Sequence, residues 1–411
     1  MKPRLKLIER SSATHWPVVV VGAGPAGLAV SARLAQARCP HVVLERGRVG
    51  ESWRTQRWDS FRLNTPLWMN RAAGPFRTGE PDSFGTAESL VAALDRLADE
   101  LPLHEGVEVL HARPAGGAWA LETTAGPLTA DDLVVASGFQ NVPRTPALAA
   151  ELPARLRQLH VGEYRRPDDL DGAVLVVGGG QSGLQVAEDL LRGGHRVYVA
   201  TSRVGRMPRS YRGRDAYEWL HDTGQLDLPT HQADPAAVAG APPQISGRRT
   251  ISYQRLAGLG ATLLGRATGW DGRRLTLAGD LGANVRFADQ VSARFRSAWE
   301  ERAASVREAV AYEADPADTP ATHLYGVEGP TALDLEAAGI SSIVWATGFG
   351  PSTEWLPSAA LDVRGRPQLP RLHALGAPWL THRMSGGLYG IAADADRIAG
   401  TLTRPELSAA A

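Results

Sequence analysis

A valine-rich apolar run that breaks into Gly-x-Gly-x-x-Gly and then into helical spacing occurs twice in this chain. In the first copy Val18–Val21 leads into Gly22-Ala23-Gly24-Pro25-Ala26-Gly27, and Leu28 and Leu34 follow at helical spacing. Val42–Leu44 is the next apolar run and ends at Glu45. In the second copy Val174–Val177 leads into Gly178-Gly179-Gly180-Gln181-Ser182-Gly183, then Leu184, Ala187 and Leu191; Gly193-Gly194 stops the helix before Val197–Ala200. Glycine supplies 44 of 411 residues. At that content three glycines at fixed spacing arise by chance about once in every two chains, so the motif alone decides nothing. The strand before it and the helix after it decide. Two β-α-β units predict an α/β fold with two Rossmann-like dinucleotide-binding domains.

Each glycine of the motif has a steric reason. The first permits the tight strand-to-helix turn, the second lets the backbone approach a pyrophosphate, and the third lets helix and strand pack closely. The helix N-terminus then offers unpaired N–H groups to the phosphates. Glu45 ends the following strand, where a carboxylate accepts from ribose hydroxyls, and Arg46 stands beside it. Gly22, Gly24, Pro25, Ala26, Gly27, Glu45 and Arg46 are therefore candidate ligands of one dinucleotide. In the second copy Gly178, Gly180, Gln181, Ser182 and Gly183 would cradle the other. Its next strand ends Ala200-Thr201-Ser202-Arg203, without an acid. Arg203 stands where a guanidinium holds a 2′-phosphate, with Arg206 and Arg209 close behind, which favours NADPH over NADH. Two nucleotide sites suggest a flavin in one and a nicotinamide in the other, with a hydride passing between them.

Charge and cysteine content narrow the class. Lys+Arg and Asp+Glu both total 44, and a chain without surplus positive charge is a poor candidate for nucleic-acid binding. The one cysteine, Cys39, cannot form an internal disulfide, a redox pair or a multi-Cys metal site; it excludes a disulfide reductase that works through a Cys pair. Residues 1–16 lack an apolar signal core, and the apolar stretch Pro17 to Ala32 is too short and too broken by glycines to span a bilayer. The expectation is a cytoplasmic protein, without membrane partner or metal, that acts on a small molecule; homo-oligomerisation is left open. Two amphipathic helices are legible, at Leu90, Leu94, Leu97 and Leu101, and at Val291, Phe295, Trp299, Ala303, Val306 and Val310. Residues 229–249, rich in Pro, Gly and Ala, read as a surface loop, and 405–411 as a frayed tail.

Further motifs make the chain, over roughly residues 16–400, resemble the flavin-containing monooxygenases, in particular the bacterial single-chain class B type. Gly50-Glu51-Ser52-Trp53-Arg54 is similar to the family's Gly-x-x-Trp-Arg stretch, and Asp59 to Pro66 to the segment that passes the flavin ring. Val135-Ala136-Ser137-Gly138-Phe139 and Trp345-Ala346-Thr347-Gly348-Phe349 resemble its two hinge strands. Leu159-His160 through Tyr164-Arg165 resembles the end of its fingerprint, although Ala154 and Leu156 replace that motif's opening Phe and Gly. Tyr164 stands where Baeyer–Villiger relatives carry tryptophan, and Pro66 where eukaryotic relatives carry asparagine.

The resemblance implies FAD and NADPH as cofactors, with an NADPH domain (166–325) inserted into an FAD domain (1–165 and 326–411). It implies transfer of one oxygen from O2, through a C4a-peroxyflavin, to a small-molecule substrate, with N- or S-oxygenation favoured. Alternatives are Baeyer–Villiger oxygenation of a ketone and an NADPH oxidase or dehydrogenase. By the same resemblance Ser52, Trp53, Arg54, Ser137, Gly138, Thr347, Gly348 and Leu388 would touch cofactor, and Asn64 and Thr65 would line the oxygen site. Leu388 belongs to the run His382–Leu388, which would return to the flavin. Trp53, Trp58 and Trp68 crowd the ring-side segment, as core aromatics or as a pocket wall.

Overall fold

The computed structural model describes residues 14–70, 72, 74, 79–305 and 315–404. Both valine-rich runs become strands buried on both faces, His15–Val21 and Ala173–Val177. Side chains alternate across a strand. Val18 and Val20 accordingly enter one core while Val19 and Val21 enter the core on the opposite face. Val174 and Val176 part from Leu175 and Val177 in the same way. A strand covered on both sides needs an unbroken apolar run, and both runs are unbroken.

The first sheet runs in the order Leu103–Glu105, His41–Glu45, His15–Val21, Gly126–Val135, Ala118–Thr123, Val109–Ala115, with Leu372–Ala374 also paired to Gly126–Val135. It is parallel as far as Gly126–Val135 and antiparallel beyond. The second sheet, Thr262–Leu264, Val197–Ala200, Ala173–Val177, Ile340–Trp345, Arg157–His160, is parallel throughout. All its strands fall, in sequence, between Gly126–Val135 and Leu372–Ala374 of the first sheet. Strand pairing carries the second sheet past both expected divisions, to Arg157–His160 before residue 165 and Ile340–Trp345 after residue 326. The two connections between the sheets run side by side, because Val142–Pro143 pairs antiparallel with Phe349–Gly350.

Helices cover the sheets where the periodicity says. Thr86 caps Ala87–Ala98 by accepting from the Ser89 amide, and Leu90 and Leu94 are fully buried against the first sheet. Leu97 packs half-buried on that core, and Leu101 lies beyond the helix end. The second helix, Leu281–Ser305, begins well before Val291. Trp299 and Ala303 are buried, whereas Val291 and Phe295 face a cavity; Val306, Val310 and the 405–411 tail lie outside the described residues.

The 229–249 expectation needs correction. The segment holds the short helices Thr230–Gln232 and Pro235–Ala239, and it then dives inward, with Gln244 and Ile245 buried. Gln244 donates its amide to the Gly179 carbonyl at 2.7 Å, so it is interior wall rather than surface. Proline and glycine signalled irregular backbone correctly; exposure does not follow from irregularity. Among the described residues no helix is long and apolar enough to cross a membrane.

Candidate functional site

Both glycine loops open on one cavity of about 1730 Å³, larger than the roughly 300–1,000 Å³ of a pocket for one small ligand. The loops are near-copies in geometry. Gly22 (φ +105°) and Gly178 (φ +126°) are left-handed, and a Cβ on either would collide with the carbonyl of Ala136 or Ala346, the alanines of the two hinge strands. A Cβ on Gly27 or Gly183 would strike the carbonyl of its own loop's first glycine. These four positions serve packing. The middle glycines differ: a Cβ on Gly24 or Gly180 meets nothing within 4 Å, and both residues line the cavity. Each also caps a helix, Pro25–Gln36 or Gln181–Arg192, that has no side-chain cap and no acid in its first turn. Free N–H groups beside open space make an anion cradle, so both loops fit a dinucleotide pyrophosphate.

Around the first loop, Pro25, Ala26, Glu45, Arg46, Ser52, Trp53, Ser137, Gly138 and Leu388 all line the cavity. Glu45 accepts from the Ala23 and Gly47 amides, each at 2.8 Å, and its burial raises the carboxyl above the usual range. Arg46 is exposed, 3.9 Å from Glu108. Arg54 turns away. It grips both carboxylate oxygens of Asp95 at 2.7 Å and the Val49 carbonyl, tying its helix to Ala87–Ala98. Trp53 and Trp58 line the cavity, whereas Trp68 packs edge-on to His221 and Tyr389 outside it.

Around the second loop, Gln181, Ser182 and Arg203 line the cavity, and Arg203 lies over the Phe287 ring at 4.4 Å. Arg206 and Arg209 do not join it at the cavity. Arg206 is fully buried and donates to Asp289 and Asp318. Arg209 is buried against Asp215 and also donates to the Asn64 carbonyl at 2.8 Å. The acids that claim Arg206 lie on Leu281–Ser305 and in the turn Pro316–Asp318, far away in sequence.

The two halves meet at Asn64. Its Nδ2 donates to Gln181 Oε1 at 3.0 Å, and its Oδ1 accepts from Gln185 Nε2 at 2.9 Å. Thr65 lines the cavity too, but its hydroxyl donates to Asn70 Oδ1 at 2.8 Å. Gly348 lines the cavity; Thr347 does not, donating instead to the Arg144 carbonyl and fixing the crossing chains. His160 is buried. Its Nδ1 accepts from the Gly162 amide, its Nε2–H donates to the Gly348 carbonyl at 2.9 Å, and desolvation holds the ring below the usual histidine range. Tyr164 is buried and donates to Asp189 at 2.7 Å. The fingerprint residues thus brace the second hinge and the second loop's helix.

Sequence reasoning missed Gln185, Gln244, Arg57 and Arg383. The glutamines act through long-range partners and carry no local signal. Arg57 lies 4.5 Å from the Trp53 ring centre and 5.4 Å from that of Phe61, and lines the cavity. Burial pulls its guanidinium down to about 10, so it is still charged at neutral pH.

With this geometry in view, comparison with known proteins is specific. Residues 19–214 match the family model described as pyridine nucleotide-disulphide oxidoreductase. The chain is 26% identical to a CzcO-like oxidoreductase of Geobacillus kaustophilus, a match covering 92% of this chain and 96% of that one. It is 33% identical to the indole-3-pyruvate monooxygenase YUCCA1 of Oryza sativa subsp. japonica, over 48% of this chain and 51% of the rice enzyme. A solved flavin-containing monooxygenase from Stenotrophomonas maltophilia superposes with a TM-score of 0.61 at 16% identity, covering 95% of this chain and 98% of that one, which shows a shared fold. The chain is an oxidoreductase, similar in sequence to CzcO-like oxidoreductases and to indole-3-pyruvate monooxygenases, and it shares its fold with a flavin-containing monooxygenase.

Proposed function

We propose that this protein is an FAD- and NADPH-dependent monooxygenase that delivers one atom of O2 to a small molecule, with soft nitrogen or sulfur nucleophiles as the favoured class. The observation that carries the reading is the pair of glycine loops, each with an open middle glycine, facing one cavity. FAD belongs on the first loop, within reach of Glu45, Ser52, Trp53, Ser137, Gly138, Gly348 and Leu388. NADPH belongs on the second, with Arg203 at its 2′-phosphate. On this reading the coenzyme domain is inserted in the flavin domain, between about residue 165 and residue 326, with its flanking strands reaching outward on both sides.

Bound FAD would accept a hydride and activate O2; the protein's part is to place the reactants and exclude water. Asn64 is the candidate polar group at the oxygen site, because its amide retains one Nδ2 hydrogen uncommitted among the described residues. The Thr65 hydroxyl is committed as a hydrogen-bond donor to Asn70 Oδ1 and holds the segment in place. Trp53, Trp58 and Phe61 make the apolar wall that keeps solvent out.

The test is a balance of oxygen. NADPH consumption and peroxide release are followed with a panel of amines and sulfides, using heavy-isotope dioxygen. The reading expects at least one substrate to suppress peroxide and to gain one labelled oxygen. Peroxide released one-for-one with NADPH throughout the panel would make the protein an NADPH oxidase.

A further inference from the structure

We infer that the end of the cavity walled by Met207, Tyr217, Leu220, Phe295 and Met384 receives a carboxylate carried on an aromatic or bulky apolar body, and that Arg383 binds the carboxylate. This rests on the monooxygenase reading and deepens it by naming a substrate class. The five wall residues line the cavity and belong to one apolar cluster. Arg383 lines the same cavity, 5.5 Å from the Trp379 ring centre. Its Nη1 donates to Gln225 Oε1 at 3.1 Å, a neutral partner, and its backbone amide donates to the Leu228 carbonyl at 2.9 Å.

Arg383 lacks a counter-charge, as Arg57 does elsewhere on the same cavity. Its Nε is buried without a hydrogen-bond partner, and among the described residues no carboxylate pairs with it. Burial alone depresses its guanidinium, with no acid opposing the shift. Arg206, Arg209, Arg212 and Arg214, which help to build the same region, each meet an acid. A cation left uncompensated in a low-dielectric site is costly, and a ligand that brings the opposite charge relieves that cost. A guanidinium fork matches a carboxylate through two parallel bonds. The coenzyme's phosphates already have the helix N-termini and Arg203, so the anion left for Arg383 is the substrate's own. The apolar wall sets the rest of that molecule.

The test is made on the flavin-loaded enzyme by titration, followed through tryptophan fluorescence and the flavin spectrum. Phenylacetate and hydrocinnamate are compared with phenethyl alcohol and hydrocinnamyl alcohol, their uncharged counterparts. At least one acid is expected to bind roughly tenfold or more tightly than its alcohol. Arg383→Met should bring the pair within about twofold, and Arg383→Lys should keep part of the preference. The inference is overturned if wild-type enzyme binds acids and alcohols alike, which needs no variant. It is equally overturned if Arg383→Met weakens both in proportion, or lowers NADPH affinity instead. Flavin content and flavin reduction by NADPH are measured on the same samples. Their absence would sink the monooxygenase reading, while intact reduction without acid preference would sink this inference alone.

Discussion

Gly24 carries the sharpest residue-scale consequence. Gly24→Val would add a branched side chain where a Cβ now meets nothing, so the protein should fold and yet purify colourless. A yellow variant with normal flavin content would contradict the assignment. Arg203→Ala should raise KM for NADPH by roughly tenfold while leaving NADH nearly unchanged, since a charge-assisted bond to the 2′-phosphate is the interaction removed. Steady-state kinetics with the two coenzymes decide it; equal losses with both would mean that Arg203 has another task. These residues were legible in the sequence because glycine sterics and the end of a strand are local facts. Arg206 was not legible. Its partners Asp289 and Asp318 lie 83 and 112 positions away, and no spacing rule reaches that far. Arg54 and Thr347 illustrate the same limit: the motif located them, and only their partners show that they hold elements in place rather than face the cavity.

At the scale of elements, buried polar ties join pieces that periodicity describes separately. Arg206 pins the loop after Val197–Ala200 to the helix Leu281–Ser305 and to the turn Pro316–Asp318. Arg206→Met leaves the buried Asp289 carboxylate without a cation, while Asp318 keeps Arg296, and should cost about 3–5 kcal/mol of unfolding free energy. Denaturant unfolding measures this, and a loss under roughly 1 kcal/mol would show that the network is not structural. Histidines supply a pH signature. Burial lowers His41, His104 and His160 from their ordinary value of 6.5, so they stay neutral in the fold while the unfolded chain takes up protons more readily. The stability they contribute is present above pH 6.5 and is lost as pH falls through their depressed values. The melting temperature should therefore drop on acidification below 6.5, and a rise over that range would reverse the assignment. The twin strands and Ala87–Ala98 could be read in advance because apolar period reports which faces are covered. The inward turn at Gln244 could not, since what holds it is a hydrogen bond to Gly179 of the second glycine loop, 65 positions away.

For the whole molecule, the essential fact is that two separately built sheets present their glycine loops to one space. The repeated motif announced two loops but was silent on whether they face each other. That depends on the paired crossing strands Val142–Pro143 and Phe349–Gly350 and on Asn64, which reaches Gln181 and Gln185 from the other half. If both cofactors share the cavity, a lesion in the second loop must slow the electrons without evicting the flavin. Anaerobic stopped-flow mixing of NADPH with the wild-type protein and with Gly180→Val, followed at the flavin absorbance, tests this most directly. Gly180→Val should remain yellow, bleach at least roughly tenfold more slowly than wild type with NADPH, and bleach at the wild-type rate with dithionite. A wild-type protein that carries no flavin, or a Gly180→Val protein that NADPH bleaches at the wild-type rate, would contradict the account.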